Sequence, residues 1–366
     1  MKRIPVCEPR LGPRERAEVL RALEAGRISA GERVMGFEER WAAFCGRRHG
    51  VALSSGTAAL ELALACLDLE PGCEVILPSF TIISCALAVL RAGAVPVFVD
   101  ADPFTGTMDA SKVEASLTRR SRALMAVHIY GHPCDMDPLL DLARRRRLTL
   151  IEDAAEAHGA RYKGKPCGSF GEASCFSFYA NKLIATGEGG MLLTDDPALA
   201  ARARSLRNLA FGGKSKFRHE ELGFNFRMSE LQGALGLAQL GSLRGALAQK
   251  RRVHGLYRRA LEGARGVRLL EERPWARSSF WMIGAVLDAP AEKVARRLAA
   301  EGIETRPFFL GLHEQPVLRR LGLTTRKGFP VTGRLSRRGL LLPSGTSLTE
   351  GEVRRVCGAL RDALKG

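Results

Sequence analysis

Two apolar runs near the middle of the chain constrain its fold more than any other feature. Residues 148–151 lead into Glu152-Asp153, and residues 175–179 lead into Asn181-Lys182. Neither run alternates polar with apolar residues. Continuous runs of this length suit strands buried on both faces, as in a parallel sheet covered by helices. Each run delivers an ionisable side chain at its carboxyl end, where open α/β sheets bind ligands. A lysine can form a Schiff base with an aldehyde cofactor, and an acid can hold the proton on that cofactor's ring nitrogen. Taken alone, Asp153 also reads as a cap for the following helix, and Lys182 as an ordinary surface residue.

The flanking sequence repeats the theme. Residues 74–77, 95–100 and 123–130 read as strands, with helical segments at 84–91 and 137–147. Helical spacing with mixed charge also marks 13–25 and 32–45. Short strands alternating with helices predict an α/β fold with right-handed crossovers. Ser229 is a good N-cap, and helical periodicity runs from it to residue 249. From about residue 247 the character changes. An Arg-rich helix leads into strands at 267–270 and 280–287, a helix at 292–301 and a last helix from Thr349. The expectation is a large α/β domain over 1–246, with a helical N-terminal segment, and a small α+β domain over 247–366.

One turn in the large domain suits an anion. Residues 51–72 read as a short strand, the turn Ser54-Ser55-Gly56-Thr57, and an Ala/Leu-rich helix that stops at Pro71-Gly72. The unpaired amides and dipole of a helix start favour a phosphate, and Gly56 lets the backbone come close. Simple N-capping by Ser55 or Thr57 explains the turn equally well. A second glycine motif is a decoy. Residues 159–165 satisfy the first seven positions of a nucleotide-binding loop, but the eighth is Pro166, which has no hydroxyl for magnesium. Residues 160–166 read instead as a tight hairpin.

Composition excludes several classes. No stretch approaches the roughly 20 apolar residues of a membrane span, and the first residues lack a signal peptide's apolar segment. The nine cysteines show no CxxC pair and no zinc spacing with histidine, so no metal is expected. They suit a reduced cytoplasm. Net charge is +17, from 56 Lys+Arg against 39 Asp+Glu. The arginines are spread over helix faces without interleaved aromatics, so nucleic-acid binding is not expected.

The segments EDAAEAHGA (152–160), FSFYANK (176–182), TGEGGM (186–191) and SSGTAAL (54–60) resemble the motifs of the StrS/DegT sugar aminotransferases. The resemblance runs from about residue 8 to residue 360. It implies the fold of PLP-dependent transferases of type I, which is aspartate-aminotransferase-like, and pyridoxal 5'-phosphate (PLP) as cofactor. It implies that Lys182 carries PLP and later moves the transferred proton. Asp153 would pair with the ring nitrogen. Ser55, Gly56, Thr57 and Ser177 would hold the phosphate. Glu156 stands where much of the family has a glutamine touching the ring's phenolic oxygen. Asn225, in the loop 206–236, would reach the PLP phosphate of a second subunit, so a homodimer with shared sites is expected. Arg306 and His313 match positions near the substrate cleft, with a surface arginine as the plain alternative for Arg306. Lysine rather than histidine at 182 points to transamination instead of sugar dehydration.

Within the family, YGHPCDMD (130–137) and GIETRP (302–307) are similar to the branch that acts on GDP-linked sugars. The implied reaction moves an amino group from glutamate to a 4-keto-6-deoxy hexose on GDP, giving a perosamine-like amino sugar for a surface polysaccharide or glycoside. A UDP- or dTDP-linked keto sugar, or a keto-cyclitol, is the alternative acceptor. A non-catalytic PLP- or DNA-binding regulator is the alternative class. The chain departs from the family pattern at Ile82, usually an aromatic that stacks on the cofactor, at Leu87, usually asparagine, and at Phe217-Arg218, where the GDP-sugar branch often has Tyr-Trp.

Overall fold

Successive residues of the central strands point into different hydrophobic cores. In β2 (Glu74–Pro78), Val75 and Leu77 join one core and Ile76 the other. In β4 (Ser121–Val127), Ala123, Met125 and Val127 take the first side, Leu124 and Ala126 the second. A strand with a core on both faces has no solvent side, so its sequence does not alternate. This is the physical origin of the continuous apolar runs. Each large side chain buried this way contributes about 1.5–3 kcal/mol.

The computed structural model describes residues 3–9, 11–211, 217–323 and 328–365. The large sheet adds β1 (His49–Leu53), β3 (Val95–Val99), β5 (Thr149–Asp153), β8 (Ala173–Ser177) and β9 (Gly190–Thr194) to β2 and β4. Its order is β1-β9-β8-β5-β4-β2-β3. The pairs β2/β3, β2/β4, β4/β5 and β5/β8 are parallel, while β9 is antiparallel to both its neighbours. The helices Gly56–Ala65 and Ile83–Arg91 cover one face. The helix Met136–Arg146 and, beside it, an aromatic group of Phe37, Trp41, Phe176 and Phe178 cover the other. This is the expected type I transferase architecture. The suspected hairpin is real: β6 (Arg161–Tyr162) and β7 (Lys165–Pro166) pair antiparallel.

The smaller lobe is a four-stranded antiparallel sheet. Its strands are β10 (Val267–Leu269), β12 (Ile283–Leu287), β13 (Arg306–Pro307) and β14 (Gly339–Leu342), in the order β10-β12-β14-β13. The short strand β11 (Ala276–Arg277) pairs instead with β6. Helices Leu243–Ala260, Ala291–Ala300 and Glu350–Lys365 bury Val253, Tyr257, Leu298 and Leu360 in this lobe's core. The division expected at 246/247 falls inside the first of these helices. Ile4 also docks here: its N–H donates to the Gly302 carbonyl at 2.9 Å, and its side chain lies in the same core.

Four local expectations need correction. The strand expected from residue 280 starts at Ile283, since Phe280 adopts φ 48°. The strand expected to reach residue 130 ends at Val127, because Tyr130 adopts φ 53°, outside any strand geometry. The helix expected from 229 to 249 is two helices, Glu230–Leu240 and Leu243–Ala260, broken at Gly241-Ser242. Ser229 is the N-cap as read, accepting from Gln232 N–H in a reciprocal capping box. Finally, β8 stops at Ser177, so Lys182 sits in the following turn rather than on the strand end. Its N–H donates to the Tyr179 carbonyl at 2.8 Å. Among the described residues, no helix is long and apolar enough to cross a membrane.

Candidate active site

The carboxyl ends of β1, β2, β4, β5 and β8 converge on a cavity of about 380 Å³. Ser55, Gly56, Thr57, Ile82, Asp153, Glu156, Ser177, Lys182 and Arg306 all line it. Residues far apart in the chain are thus gathered where this sheet type binds ligands.

At one end lies the start of the helix Gly56–Ala65. Ser55 is its N-cap, accepting from Ala58 N–H at 3.1 Å, and Thr57 Oγ1 donates to Ser84 Oγ at 2.9 Å. Capping leaves this turn open to an anion, since the amides of Gly56 and Thr57, ahead of the capped Ala58, have no intrahelical acceptor. Gly56 touches the end of β8: a Cβ there would lie 2.7 Å from Ser177 Cβ. The helix start and Ser177 form one cradle only because residue 56 has no side chain. The same logic explains the second glycine of the Gly189-Gly190 pair. A Cβ on Gly190 would meet the Ser55 carbonyl oxygen at 2.1 Å. Gly190→Ala should displace the N-cap backbone itself. We expect it to cost about 3 kcal/mol or more of stability and to weaken cofactor binding, read from denaturation midpoints and a PLP titration.

Asp153 is the last residue of β5 and 3% exposed. Its Oδ1 accepts from Ala155 N–H at 3.0 Å and its Oδ2 from the Cys85 thiol at 3.1 Å. Burial and the neighbouring carboxylate push the Cys85 thiol well up, so it remains a donor. Asp153 thus caps a turn and still faces the cavity.

Lys182 is mostly buried, its side chain 9% exposed, with Nζ 3.5 Å from Glu156 Oε1 and 3.8 Å from the centroid of the Trp281 ring. Burial lowers its amine from the ordinary lysine value, opposed by the charges of Glu156 and Asp153. Burial raises Glu156, opposed by Lys182 and by the Tyr130 N–H that donates to its Oε2 at 2.7 Å. Both partners are driven toward their neutral forms, which suits an amine that must act as nucleophile and base. His158 packs among Trp41, Phe176 and Phe178, and burial holds its imidazole down to about 3.

The remaining candidates divide. Ile82 stands at the cavity with 44% of its surface exposed. Arg306 pairs through its backbone in β13, but its side chain has no hydrogen bond or ion pair to another described residue and is free for an anionic ligand. Asn225 and His313 are not in the cavity. Asn225 is exposed, its backbone bridging Asn208 and its Oδ1 accepting from Arg227 at 3.0 Å. His313 shares a 2.7 Å hydrogen bond with Ser79 and packs on Phe329. Within the loop 206–236, residues 212–216 lie outside the described residues. Sequence reasoning missed Cys85, Trp281 and Phe309, which also shape this site. Two are plain apolar positions in the sequence, and Trp281 falls inside what reads as a strand over 280–287.

The donor set fits a phosphorylated aldehyde with a basic ring nitrogen. It offers a helix-start cradle that a Cβ would fill, a buried carboxylate with one face to the cavity, and a buried amine held toward neutrality. Comparison with known proteins agrees. The model of the DegT/DnrJ/EryC1/StrS aminotransferase family matches residues 9–361. A GDP-perosamine synthase of Caulobacter vibrioides is 43% identical, over 100% of this chain and 99% of the relative. A dTDP-3-amino-3,4,6-trideoxy-alpha-D-glucose transaminase of Streptomyces venezuelae is 38% identical, over 94% of this chain and 91% of the relative. A Streptococcus pneumoniae protein solved in its PLP form superposes with a TM-score of 0.94 at 25% identity, covering 100% of this chain and 99% of that one.

Proposed function

Because this chain belongs to the DegT/DnrJ/EryC1/StrS aminotransferase family, whose enzymes depend on PLP, we propose that it aminates a GDP-linked 4-keto-6-deoxy sugar to give GDP-perosamine, with glutamate as donor. The observation that carries the sugar assignment is the 43% identity to a GDP-perosamine synthase along the whole chain. The acceptor would be GDP-4-keto-6-deoxymannose, and the product would serve a surface polysaccharide or glycoside. The family membership itself makes the chain a PLP-dependent sugar aminotransferase.

When bound, PLP supplies an electron sink that lets an amino group pass to and from a keto carbon. The residues divide the remaining work. Ser55, Gly56, Thr57 and Ser177 would hold the phosphate with amides and hydroxyls. Asp153 would keep the ring nitrogen protonated, steadied by Ala155 N–H and the Cys85 thiol. Glu156 would sit beside the ring's phenolic oxygen in its protonated form, donating as a glutamine does. Ile82 would close one side of the ring. Lys182 would hold the cofactor covalently, then accept the proton from the donor's carbon and return it on the other side of the reaction. Arg306 would take a carboxylate or phosphate of the substrates. Asn225, exposed and outside the cavity, would serve the site of a neighbouring subunit in a homodimer with shared sites. His313, outside the cavity, would contribute only indirectly, through its bond to the buried Ser79.

The dTDP-sugar relative and the replacement of the usual aromatic by Ile82 favour one second reading, a dTDP- or UDP-linked acceptor. A substrate challenge separates them. The PLP-loaded protein is converted to its amino form with glutamate and freed of donor. GDP-, dTDP- and UDP-linked 4-keto-6-deoxy sugars are then offered singly. The visible absorbance of the lysine-bound cofactor should return with the GDP sugar and not the others. Return with another sugar alone would replace the acceptor, and no conversion by glutamate would replace the donor.

A further inference from the structure

A second cavity, also about 380 Å³, lies against the first, and the two share Asn181, Lys182 and Trp281. The Trp281 ring is the partition between them, and it is braced from several sides. Its Nε1–H donates to the Asn181 carbonyl at 2.8 Å, and its own carbonyl accepts from the buried Lys250 ammonium at 2.7 Å. The preceding residue, Phe280, has φ 48°, a left-handed conformation that bulky residues resist. That strain is sustained by packing: the His254 ring stacks on Phe280 at 3.8 Å, and Arg251 lies over its ring at 5.1 Å. The outcome of this bracing is one contact, the indole face 3.8 Å from Lys182 Nζ, with Glu156 Oε1 at 3.5 Å from the same nitrogen.

We propose that the Trp281 face and Glu156 form the resting place of the Lys182 amine whenever it is not bonded to cofactor, and that Trp281 sets the pH at which this free lysine loses its proton. An aminotransferase lysine is released in every half-reaction and must take up and give back one proton. The negative face of an indole favours the ammonium form. It therefore stabilises the lysine just after it has accepted the proton, while burial keeps the neutral form within reach. The other ionisable groups around Lys182 are Glu156, Asp153 and His158, Tyr130 behind Glu156, and Tyr179, Glu188 and Arg306 on the cavity wall. Cys7, Glu8, Glu15 and Lys250 line the far chamber. Substitution of Trp281 leaves all of them in place.

The inference rests on Lys182 as the cofactor-bearing lysine and not on the identity of the sugar. Its test uses full-length protein stripped of cofactor. The neutral amine adds to the aldehyde carbon of PLP and water leaves, so the rate of covalent loading against pH reads the proton equilibrium of Lys182. Trp281→Leu keeps the site apolar but removes the ring. The loading midpoint should fall by about half a pH unit to one and a half units relative to wild type. Trp281→Phe should move it less, in the same direction. Expression with mono-, di- and trifluorinated tryptophan weakens the ring face stepwise without changing its shape, and should lower the midpoint stepwise. Neither Trp41 nor Trp275 faces a cationic side chain among the described residues, so this series reads Trp281. A midpoint that stays put or rises through the fluorinated series overturns the proposal, whether or not the leucine variant folds. A lysine other than 182 carrying PLP would instead show as an adduct surviving in Lys182→Ala.

Discussion

Lys182→Ala protein is expected to form no covalent adduct with PLP and to lose at least about four orders of magnitude in turnover. The size comes from two separate losses. The cofactor is no longer held or pre-activated by a protein amine. The group that moves the proton is also gone, and that role alone is worth about 10²–10⁴ in rate. Binding should survive in weakened, dialysable form, because the helix-start cradle and Asp153 are untouched. The measurement is mass spectrometry after hydride reduction of the loaded protein, beside a single-turnover assay with glutamate. The outcome that would sink the assignment is specific. Lys250 is more deeply buried than Lys182 and is also depressed by burial, so it is the natural competitor. Its ammonium, however, donates to the carbonyls of Trp281 and Ser344 and does not line the cofactor cavity. An adduct persisting on Lys250 in the alanine variant would mean that the two lysines exchange roles, and the site would have to be redrawn.

How much of the site is legible in the sequence depends on separation along the chain. Asp153, Glu156, Ser177 and Lys182 fall close together, on or just after two runs whose lack of alternation already implies a doubly covered sheet. Gly56 is legible as part of a strand–turn–helix, although the reason it must be glycine, contact with Ser177, involves residues far apart. The contacts that tune the site are not legible. Cys85 reaches Asp153 across 68 positions, and Trp281 reaches the Asn181 carbonyl across 100. No local pattern marks a thiol that will donate to a carboxylate. Nor does any mark Tyr130 and Phe280, two aromatic residues held at positive φ by tertiary packing against their own preference. The strand ends are missed for the same reason. Local propensity carries two strand readings past Val127 and Ser177, where the chain in fact turns to present Glu156's partner Tyr130 and then Lys182.

Asp153→Asn is expected to lower turnover by about 10²–10³, with a smaller change in the Michaelis constant for glutamate. The reason lies in which interactions asparagine keeps. It matches the aspartate in size, and its oxygen can still accept from Ala155 N–H, so the turn after β5 stays capped. It loses the negative charge in a dry pocket, where a preorganised charge aimed at the reacting group is worth about 3–4 kcal/mol. A ring nitrogen without that partner gives up its proton and draws electrons poorly. The absorbance of the lysine-bound cofactor should therefore become more sensitive to pH in the variant, and PLP should bind about ten- to a hundredfold more weakly, as for the loss of one charge-assisted hydrogen bond. Asp153→Ala separates this role from capping. If Asp153 were only a cap, asparagine would be nearly silent, alanine would cost about 1 kcal/mol of stability, and neither would move the cofactor's spectrum. If the carboxylate works on the cofactor, both variants fail alike in turnover and spectrum while only alanine loses stability. The Cys85 thiol sharpens the distinction. It donates to the carboxylate oxygen that Ala155 leaves open, so Cys85→Ala should reproduce a fraction of the spectral change with the charge still in place.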